Sequence, residues 1–338
     1  MTRAVPYKLV FLILLAALPI ALCVAAGMGA YPIALFRIPA ILWDRIEGEG
    51  YRVLLYIRLP RIFLAALVGT ALALSGAALQ SMFRNPLADS GLIGVSSGAS
   101  LAASAWIALA GADSRLGLWG LPTAAFAGGL ATVWLVWRMA RTSGATPTAT
   151  LLLTGIALNA IAGAGIGLLI YCSDEEELRS ITFWQLGGLN GTTWPLVWAA
   201  LIPLVPGLVL LAPLGRALNA LALGDREAYH LGIPVAALQR RIVLGSALAV
   251  GGAVAAAGGV GFVGLVVPHM FRLLCGADNR WLLPSTAVGG ALLFLGADTA
   301  SRTLVQPAEL PVGILTALAG GPFFLWLLLR HKREALHA

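Results

Sequence analysis

The chain has 338 residues, of which 59% are hydrophobic and only 11% are charged, whereas an ordinary globular domain carries about 25% charged residues. Helices that are apolar on every side belong in a bilayer, so this composition excludes a soluble domain and predicts an all-α, multi-pass membrane protein. The net charge of +7 does not indicate nucleic-acid binding, because the arginines stand singly between apolar runs.

Cysteine usage argues against a metal or disulfide framework. Cys23, Cys172 and Cys275 are far apart, lie in or beside apolar runs, and form no Cys-x-x-Cys pair. We therefore predict no metal site and no cofactor in this chain. The N-terminal apolar run, residues 9–30, is longer than the core of a signal peptide, which indicates an uncleaved first membrane helix.

Ten apolar stretches predict ten transmembrane helices in one membrane domain covering residues 1–338, since a crossing needs about 20 apolar residues. The predicted crossings are 9–30, 62–83, 92–111, 119–140, 150–171, 194–212, 241–258, 260–275, 281–300 and 312–330. Gly258-Gly259 and Pro268 interrupt the seventh to ninth stretches, so half-helices or a re-entrant piece remain possible there.

An even number of crossings puts both termini on one side of the membrane. With the termini in the cytoplasm, 14 of the 22 lysines and arginines fall on the cytoplasmic side and 8 on the other. This distribution predicts cytoplasmic termini, because cytoplasmic loops carry the excess of positive charge.

The stretch from residue 58 to residue 100 contains the most informative pattern. An uncharged run follows two arginines, and Gly69, Ala73 and Ala77 recur in it every four residues. That spacing puts them on one helix face and allows a second helix to approach closely. A compact polar turn then precedes the next apolar run.

Five sequence patterns resemble the permease subunits of ABC importers for iron chelates (siderophores and haem) and cobalamin. They are Arg-Leu-Pro-Arg, Leu-Ser-Gly-Ala-Ala-Leu-Gln and Asn-Pro-Leu-Ala-Asp-x-Gly-Leu-Ile-Gly-Val-Ser-x-Gly, followed by the motifs at 261–272 and 309–322. Together they cover most of the chain, about 56–330. The resemblance implies a type II importer permease fold and a homodimer in the bacterial inner membrane. It also implies two ATP-binding cassette subunits, which bind ATP and magnesium, and a periplasmic substrate-binding protein.

The chain itself has no nucleotide-binding loop. A P-loop needs a lysine that reaches the phosphates, and the only lysines are Lys8 and Lys332, near the two termini. Energy must therefore come from another chain or from an ion gradient, and we expect a transport subunit, not an enzyme.

The long loop at about 213–240 reads as two short amphipathic helices joined at Gly224. Such a pair can simply pack on its own protein, or it can dock a partner. The resemblance identifies the loop as the ATPase-docking element and carries over Gly224, Asp225, Glu227 and Gly232.

The fifth crossing carries Gly155, Asn159, Gly163 and Gly167 on one face. Close packing with an interhelical hydrogen bond is one interpretation of this face. The resemblance implies the other, a smooth and weakly polar wall of the translocation path.

The same resemblance places the cytoplasmic gate at Asn85 and Leu87 in the Asn-Pro-Leu turn, and at Thr148 before the fifth crossing. Ala149 stands where some relatives have a hydroxyl residue, so the assignment of the second part of the gate is left undecided.

On the outer side, Arg58, Arg61 and Arg302 match arginines that meet glutamates of the binding protein in this family. Arginine suits that role because its planar fork pairs with a carboxylate bidentately. The alternatives are a headgroup anchor for the first two and an ion pair between Arg302 and Asp298, four residues earlier. The acidic run 174–177 is expected to be a solvated loop.

His269 lies in the 261–272 motif, for which we expect a structural role in preference to haem ligation. The expected function is import of an iron chelate, either haem or a ferric siderophore, with cobalamin as the alternative. An ion-coupled secondary transporter would need a buried carboxylate, for which Asp298 is the candidate. No motif of an intramembrane enzyme is present.

Overall fold

The computed structural model describes residues 6–43, 48–110, 117–141 and 148–336, and these segments form helices and connecting loops without a strand. The α-helices are α1 (Tyr7–Gly27), α2 (Ile38–Trp43), α3 (Glu49–Arg52), α4 (Leu59–Met82), α5 (Val95–Ala110), α6 (Gly120–Ala140), α7 (Thr148–Cys172), α8 (Glu175–Leu186), α9 (Trp194–Leu211), α10 (Gly215–Leu223), α11 (Asp225–His230), α12 (Val235–Ala257), α13 (Val263–Cys275), α14 (Asn279–Ser301) and α15 (Val312–Leu336). A π-helical stretch, Val53–Arg58, joins α3 to α4.

The predicted crossings coincide with observed helices. Within the described segments, seven helical stretches are long and apolar enough to span a membrane, and they contain α1, α4, α6, α7, α9, α12 and α14. Three shorter apolar helices, α5, α13 and the first part of α15, occupy the remaining predicted positions. The all-α membrane fold is therefore confirmed.

Of the two predicted interruptions in the seventh and eighth crossings, the one at Gly258-Gly259 is confirmed. α12 ends at Ala257, Gly258 takes a positive φ of 69°, and α13 starts only at Val263. Pro268 lies inside α13 without ending it. With 13 residues, α13 spans only about 20 Å, less than the bilayer core, because a helix rises about 1.5 Å per residue.

Two boundaries differ from the sequence-based predictions. α12 already begins at Val235, so the last residues of the predicted docking loop are helical. The acidic run is not a loop, because it starts α8. Asp174 accepts a hydrogen bond from the Glu177 backbone N–H (2.8 Å), and the Glu177 side chain accepts one from the Asp174 N–H (3.2 Å). This reciprocal capping box satisfies donors that a helix start leaves unpaired.

α4 is the central helix of the bundle and packs against α12, α13 and α14. Its glycines allow backbone contact, and one of them, Gly69, belongs to the predicted stripe of small residues. A methyl group built on Gly69 would lie 2.2 Å from the Gly290 carbonyl oxygen of α14, and one on Gly76 would lie 1.8 Å from the Gly264 carbonyl oxygen of α13. Only glycine fits at these crossings.

The two ends of the bundle can be distinguished by their loops. We call the side of the bundle that carries α10 and α11 the docking end. The chain reaches it at the last residues of α4, α9 and α13 and leaves it at the first residues of α1, α12 and α14. We call the other side of the bundle the opposite end. It contains the last residues of α1 and α14 and the first residues of α4.

We expect Gly76→Ala to destabilise the protein by about 2 kcal/mol, because the added methyl group forces α4 and α13 apart. The measurement is the thermal unfolding midpoint of the purified protein in detergent. Gly296→Ala in α14 is the matched control, since nothing lies within 4 Å of a methyl group at that position. A midpoint for Gly76→Ala equal to that of the control would contradict the close packing of α4.

Candidate docking and translocation site

α10 and α11 form the pair of short helices that the sequence predicts, and Gly224 joins them. Gly224 has φ 137° and ψ 155°, a backbone conformation that residues with a side chain rarely adopt. The Glu227 carboxylate folds over it, so that a methyl group there would lie 1.9 Å from Glu227 Oε2. Gly232 ends α11 with φ 81° in a Schellman turn, in which its N–H donates to Tyr229 O (2.9 Å) and that of Ile233 donates to Ala228 O (3.0 Å).

The helix pair has one buried face and one exposed apolar face. Leu221 and Ala228 are fully buried against the bundle, whereas Leu223, Tyr229 and Leu231 are 67%, 71% and 62% exposed. Exposed apolar clusters of this kind mark surfaces that contact other proteins or the membrane. The helix pair therefore packs on its own chain and leaves an exposed surface, and docking of a partner by this surface stays a prediction.

A chain of hydrogen bonds fastens α10 to the membrane helices. Asn219 Nδ2 donates to Asp278 Oδ1 (2.7 Å), and Asn219 Oδ1 accepts from the backbone N–H (2.8 Å) and Nδ2 (2.9 Å) of Asn279. Ser81 Oγ donates to Asn279 Oδ1 (2.8 Å), and Arg272 Nη2 donates to Ser81 Oγ (2.7 Å). The docking element is thus linked through side chains to α14, α4 and α13.

Asp278 holds this junction as a charged group. It caps α14 by accepting from the Arg280 N–H (3.1 Å), and its Oδ2 accepts from Arg280 Nη2 (2.7 Å). These bonds from Arg280, with the one from Asn219, keep the pKa of Asp278 well below its usual range, although partial burial acts the other way. Its own N–H donates to the Tyr7 hydroxyl (2.8 Å), which ties the start of α1 to the same junction.

The Asn-Pro-Leu turn lies at the docking end, where Asn85 and Leu87 have different tasks. Asn85 Oδ1 accepts from the Leu87 N–H (2.9 Å), and the Asn85 carbonyl accepts from the Ala88 N–H (3.1 Å), so Asn85 holds the turn in shape. The Leu87 side chain projects and is 51% exposed. Thr148 is the first residue of α7 at this end and is partly exposed, beside an exposed Ala149.

The stripe on α7 is divided into a packed half and an open half. Gly155 is buried, and a methyl group there would lie 1.9 Å from the Leu92 carbonyl oxygen. Asn159 Nδ2 donates to the Gly91 carbonyl (2.9 Å), and Asn159 Oδ1 accepts from Ser97 Oγ. Gly163 and Gly167 have nothing within 4 Å of an added methyl group and are exposed. The close-packing interpretation therefore describes the first half, and only the second half is a smooth open surface.

At the opposite end, the three arginines lie inside the protein, with Arg58 4%, Arg61 7% and Arg302 7% exposed. Two of them cap the C-terminus of α1. Arg58 Nη1 donates to the carbonyls of Ala26 (2.6 Å) and Gly27 (3.1 Å), and Arg302 donates to those of Ala25 (2.7 Å) and Met28 (2.8 Å). These carbonyls have no partner within their own helix, so the arginines satisfy them.

The third arginine lies between two carboxylates. Arg61 Nε donates to Asp298 Oδ1 and its Nη1 donates to Glu309 Oε2, both at 2.8 Å. Arg302 Nε lies 3.4 Å from Asp298 Oδ2. This distance confirms the predicted ion pair between Asp298, in α14, and Arg302, in the turn that follows α14. The headgroup-anchor interpretation does not fit, because the guanidinium groups of Arg58 and Arg61 point into the chain. Their contact with a binding protein stays a prediction.

His269 is 6% exposed and lies beside two aromatic rings of α15, with centroid distances of 6.2 Å to Phe323 and 6.0 Å to Phe324. This packing between helices fits the structural role expected for it. Among the described residues, no group of three or more histidine, cysteine or acidic side chains could hold a metal ion.

Several contacts between distant elements carry no clear signal in the sequence. Ser81 and Asn279 are single polar residues at the ends of apolar helices, and Asn219 lies in the middle of α10. Only the fold reveals that they meet. A usable signal existed for Asp278, because an aspartate directly before an apolar helix is a common N-cap.

The chain matches the FecCD transport family over residues 14–330. It is 46% identical over 312 residues to the Hemin transport system permease protein HmuU of Yersinia pestis, with 92% of each chain covered. It is 41% identical over 290 residues to the Vitamin B12 import system permease protein BtuC of Salmonella typhi, covering 86% of this chain and 87% of that one.

A solved structure confirms the architecture. It is described as an inward-facing metal-chelate type ABC transporter, and the two chains superpose with a TM-score of 0.85 at 35% identity, covering 96% of this chain and 99% of the other. On these grounds, the chain belongs to the FecCD transport family.

Proposed function

We propose that this chain is the permease subunit of an ABC importer that moves an iron chelate, haem or a ferric siderophore, across the inner membrane into the cytoplasm. One observation carries the proposal most directly. The α10–α11 pair presents exposed apolar side chains at Leu223, Tyr229 and Leu231. On its other face, Asn219 is hydrogen-bonded to the start of α14, and further side-chain hydrogen bonds connect that junction to α4 and α13. A surface built in this way can receive a force from another protein and pass it to the bundle.

The proposed assembly is a permease homodimer with two ATPase subunits at the docking end and a binding protein at the opposite end. ATP-driven transport by this chain needs a separate ATPase, because the sequence has no lysine in a phosphate-binding loop. The distribution of 14 against 8 positive charges supports a cytoplasmic docking end, with both termini there.

In the proposed cycle, closure of the ATPase dimer displaces α10 and α11, and Asn219 transmits the displacement to α14, α4 and α13. The open half of α7, with Gly163 and Gly167, forms part of the path wall. A wall without strong binding groups suits a large polar chelate, because tight binding would slow its release. Asn85, Leu87 and Thr148 form the gate at the docking end.

The preference for an iron chelate is supported by the relatives. Identity to the hemin permease is 46%, against 41% and 44% to the cobalamin permeases of Salmonella typhi and Halobacterium salinarum. Cobalamin remains the second candidate. The test is which ligand raises the unfolding temperature of the binding protein encoded beside this chain; stabilisation by cobalamin, and by neither haem nor a siderophore, would overturn the preference.

An ion-coupled secondary transporter is less well supported. Asp298 is fully buried but lies between Arg61 and Arg302, so its charge is already compensated and it is poorly suited to carry a proton. Uptake that stops on ATP depletion and continues with an uncoupler is the expected result, and the reverse would favour ion coupling.

We expect the double variant Asp225→Arg, Glu227→Arg to lose the ATPase partner, because it reverses two charges on the proposed contact surface while leaving the membrane helices intact. Co-purification of the ATPase from membranes measures the loss. Glu175→Arg with Glu176→Arg is the matched control, since it makes the same charge change on exposed residues of α8 at the opposite end. Undiminished co-purification of the Asp225→Arg, Glu227→Arg variant would count against the docking role of α11.

We expect Arg302→Ala to destabilise the protein by about 3 kcal/mol, because it leaves two α1 carbonyls and the Asp298 carboxylate with fewer partners. Arg52→Ala removes an exposed arginine from the same end and should leave the unfolding midpoint unchanged. Measuring the midpoint together with binding-protein affinity separates the two roles. If Arg302→Ala keeps its midpoint and loses only affinity, the arginine acts in docking and not as a cap.

A further inference from the structure

The Asn-Pro-Leu turn and the α10–α11 element are joined by one ion pair. Arg84 Nη2 lies 3.4 Å from Asp225 Oδ1. Arg84 directly precedes Asn85 in the turn, and Asp225 is the first residue of α11. A residue next to the proposed gate thus touches a residue of the proposed ATPase contact, although 141 positions separate them in the sequence.

The backbone at Arg84 is unusual for this residue type. Arg84 has φ 51°, in the left-handed region. Its N–H donates to Ser81 O (3.3 Å), and that of Asn85 donates to Gln80 O (3.1 Å), which is the Schellman pattern that closes α4. Arg84 occupies the position of this motif at which glycine is preferred, because a Cβ there is strained.

The protein contains the same turn with glycine. α11 ends in a Schellman motif with the same two hydrogen bonds, and there Gly232 takes the left-handed position with φ 81°. The turn geometry therefore does not require an arginine. At α4 the chain accepts backbone strain and gains a side chain that reaches Asp225.

The ion pair does not explain this choice through stability. The side chains of Arg84 and Asp225 are 47% and 45% exposed, and pairs this accessible to water contribute little to folding. An outlier whose energetic cost is not recovered in the folded state points to a functional constraint. Weak, exposed pairing also suits a contact that has to follow a moving element.

Asp225 is attached to the bundle in few other ways. Gly224 separates α11 from α10, which Asn219 fixes to the membrane helices, and Gln239 Nε2 of α12 lies 3.5 Å from Asp225 Oδ2. Among the described residues, Arg84 is the only one that forms an ion pair with Asp225, and the Glu227 carboxylate lies nearby over Gly224. Displacement of α11 about Gly224 would therefore act on the turn through this pair.

We propose that Arg84 is a positioning residue that transmits displacement of α11 to the Asn85–Leu87 turn and so couples the ATPase state to the gate. The inference rests on the proposed function as an ATPase-driven importer. It adds a specific connection between two parts that the sequence treats separately.

The test is Arg84→Gly in the full complex with ATPase and binding protein, reconstituted in vesicles. Glycine relieves the strain of the left-handed turn, so the unfolding midpoint should stay equal to that of the wild type or rise. Cargo delivered per ATP hydrolysed should fall about fivefold or more, with haemin, the ferric siderophore ferrichrome or cyanocobalamin as the probe, whichever the binding protein binds. Arg84→Lys keeps the charge and should restore much of the coupling.

The controls separate the possible failures. Arg138→Ala removes an exposed arginine at the docking end of α6 and should leave both quantities unchanged. A wild-type ratio of cargo to ATP in Arg84→Gly, or a fall in its unfolding midpoint together with uptake, would overturn the coupling role. If the wild-type complex itself shows no ATP-dependent uptake, the proposed function fails, and this outcome is seen before any variant is compared.

Discussion

The backbone contact of α4 with α13 and α14 is the constraint on which the remaining structure depends. A bilayer offers little hydrophobic gain for helix association, so membrane helices hold together by close packing and by satisfying their polar groups. Gly69 and Gly76 supply the close packing, because no side chain keeps the neighbouring carbonyls away. The contacts at the two ends of α4 depend on the position that this packing gives to the helix.

Each end of α4 brings together elements that are distant in sequence. At its start, Arg61 joins Asp298 and Glu309, and Arg58 closes α1. At its end, Ser81 takes part in the hydrogen bonds that hold α10, and the Schellman turn directs Arg84 to α11. One rigid helix therefore connects the surface proposed for the binding protein with the surface proposed for the ATPase. Coupling through such a helix needs a physical contact at each end, and both contacts are present.

Sequence reasoning succeeded where a local pattern determines the structure. Apolar length located the membrane helices, the small-residue spacing located the packed face of α4, and Gly224 marked the joint between α10 and α11. It failed at one local pattern, the acidic run, and otherwise where two distant residues decide the outcome together. The acidic run at 174–177 has the pattern of a capping box, but its charge suggested a loop. The α7 stripe looked uniform, although Leu92 and Gly91 occupy only its first half. The meeting of Asn219 with Asn279, or of Arg84 with Asp225, follows from the packing of the whole bundle and could not be read locally.

The buried arginine cluster has a consequence for how the protein is made. Arg61 is 237 residues ahead of Asp298, so at about 5 to 20 residues per second its partner is synthesised roughly 12 to 50 seconds later. During that interval the guanidinium group has to remain at the lipid headgroups or beside the insertion machinery, since an unpaired charge is costly in hydrocarbon. The opposite end of the bundle can therefore close only after α14 has been inserted, and the first helices must wait for the last ones to complete their fold.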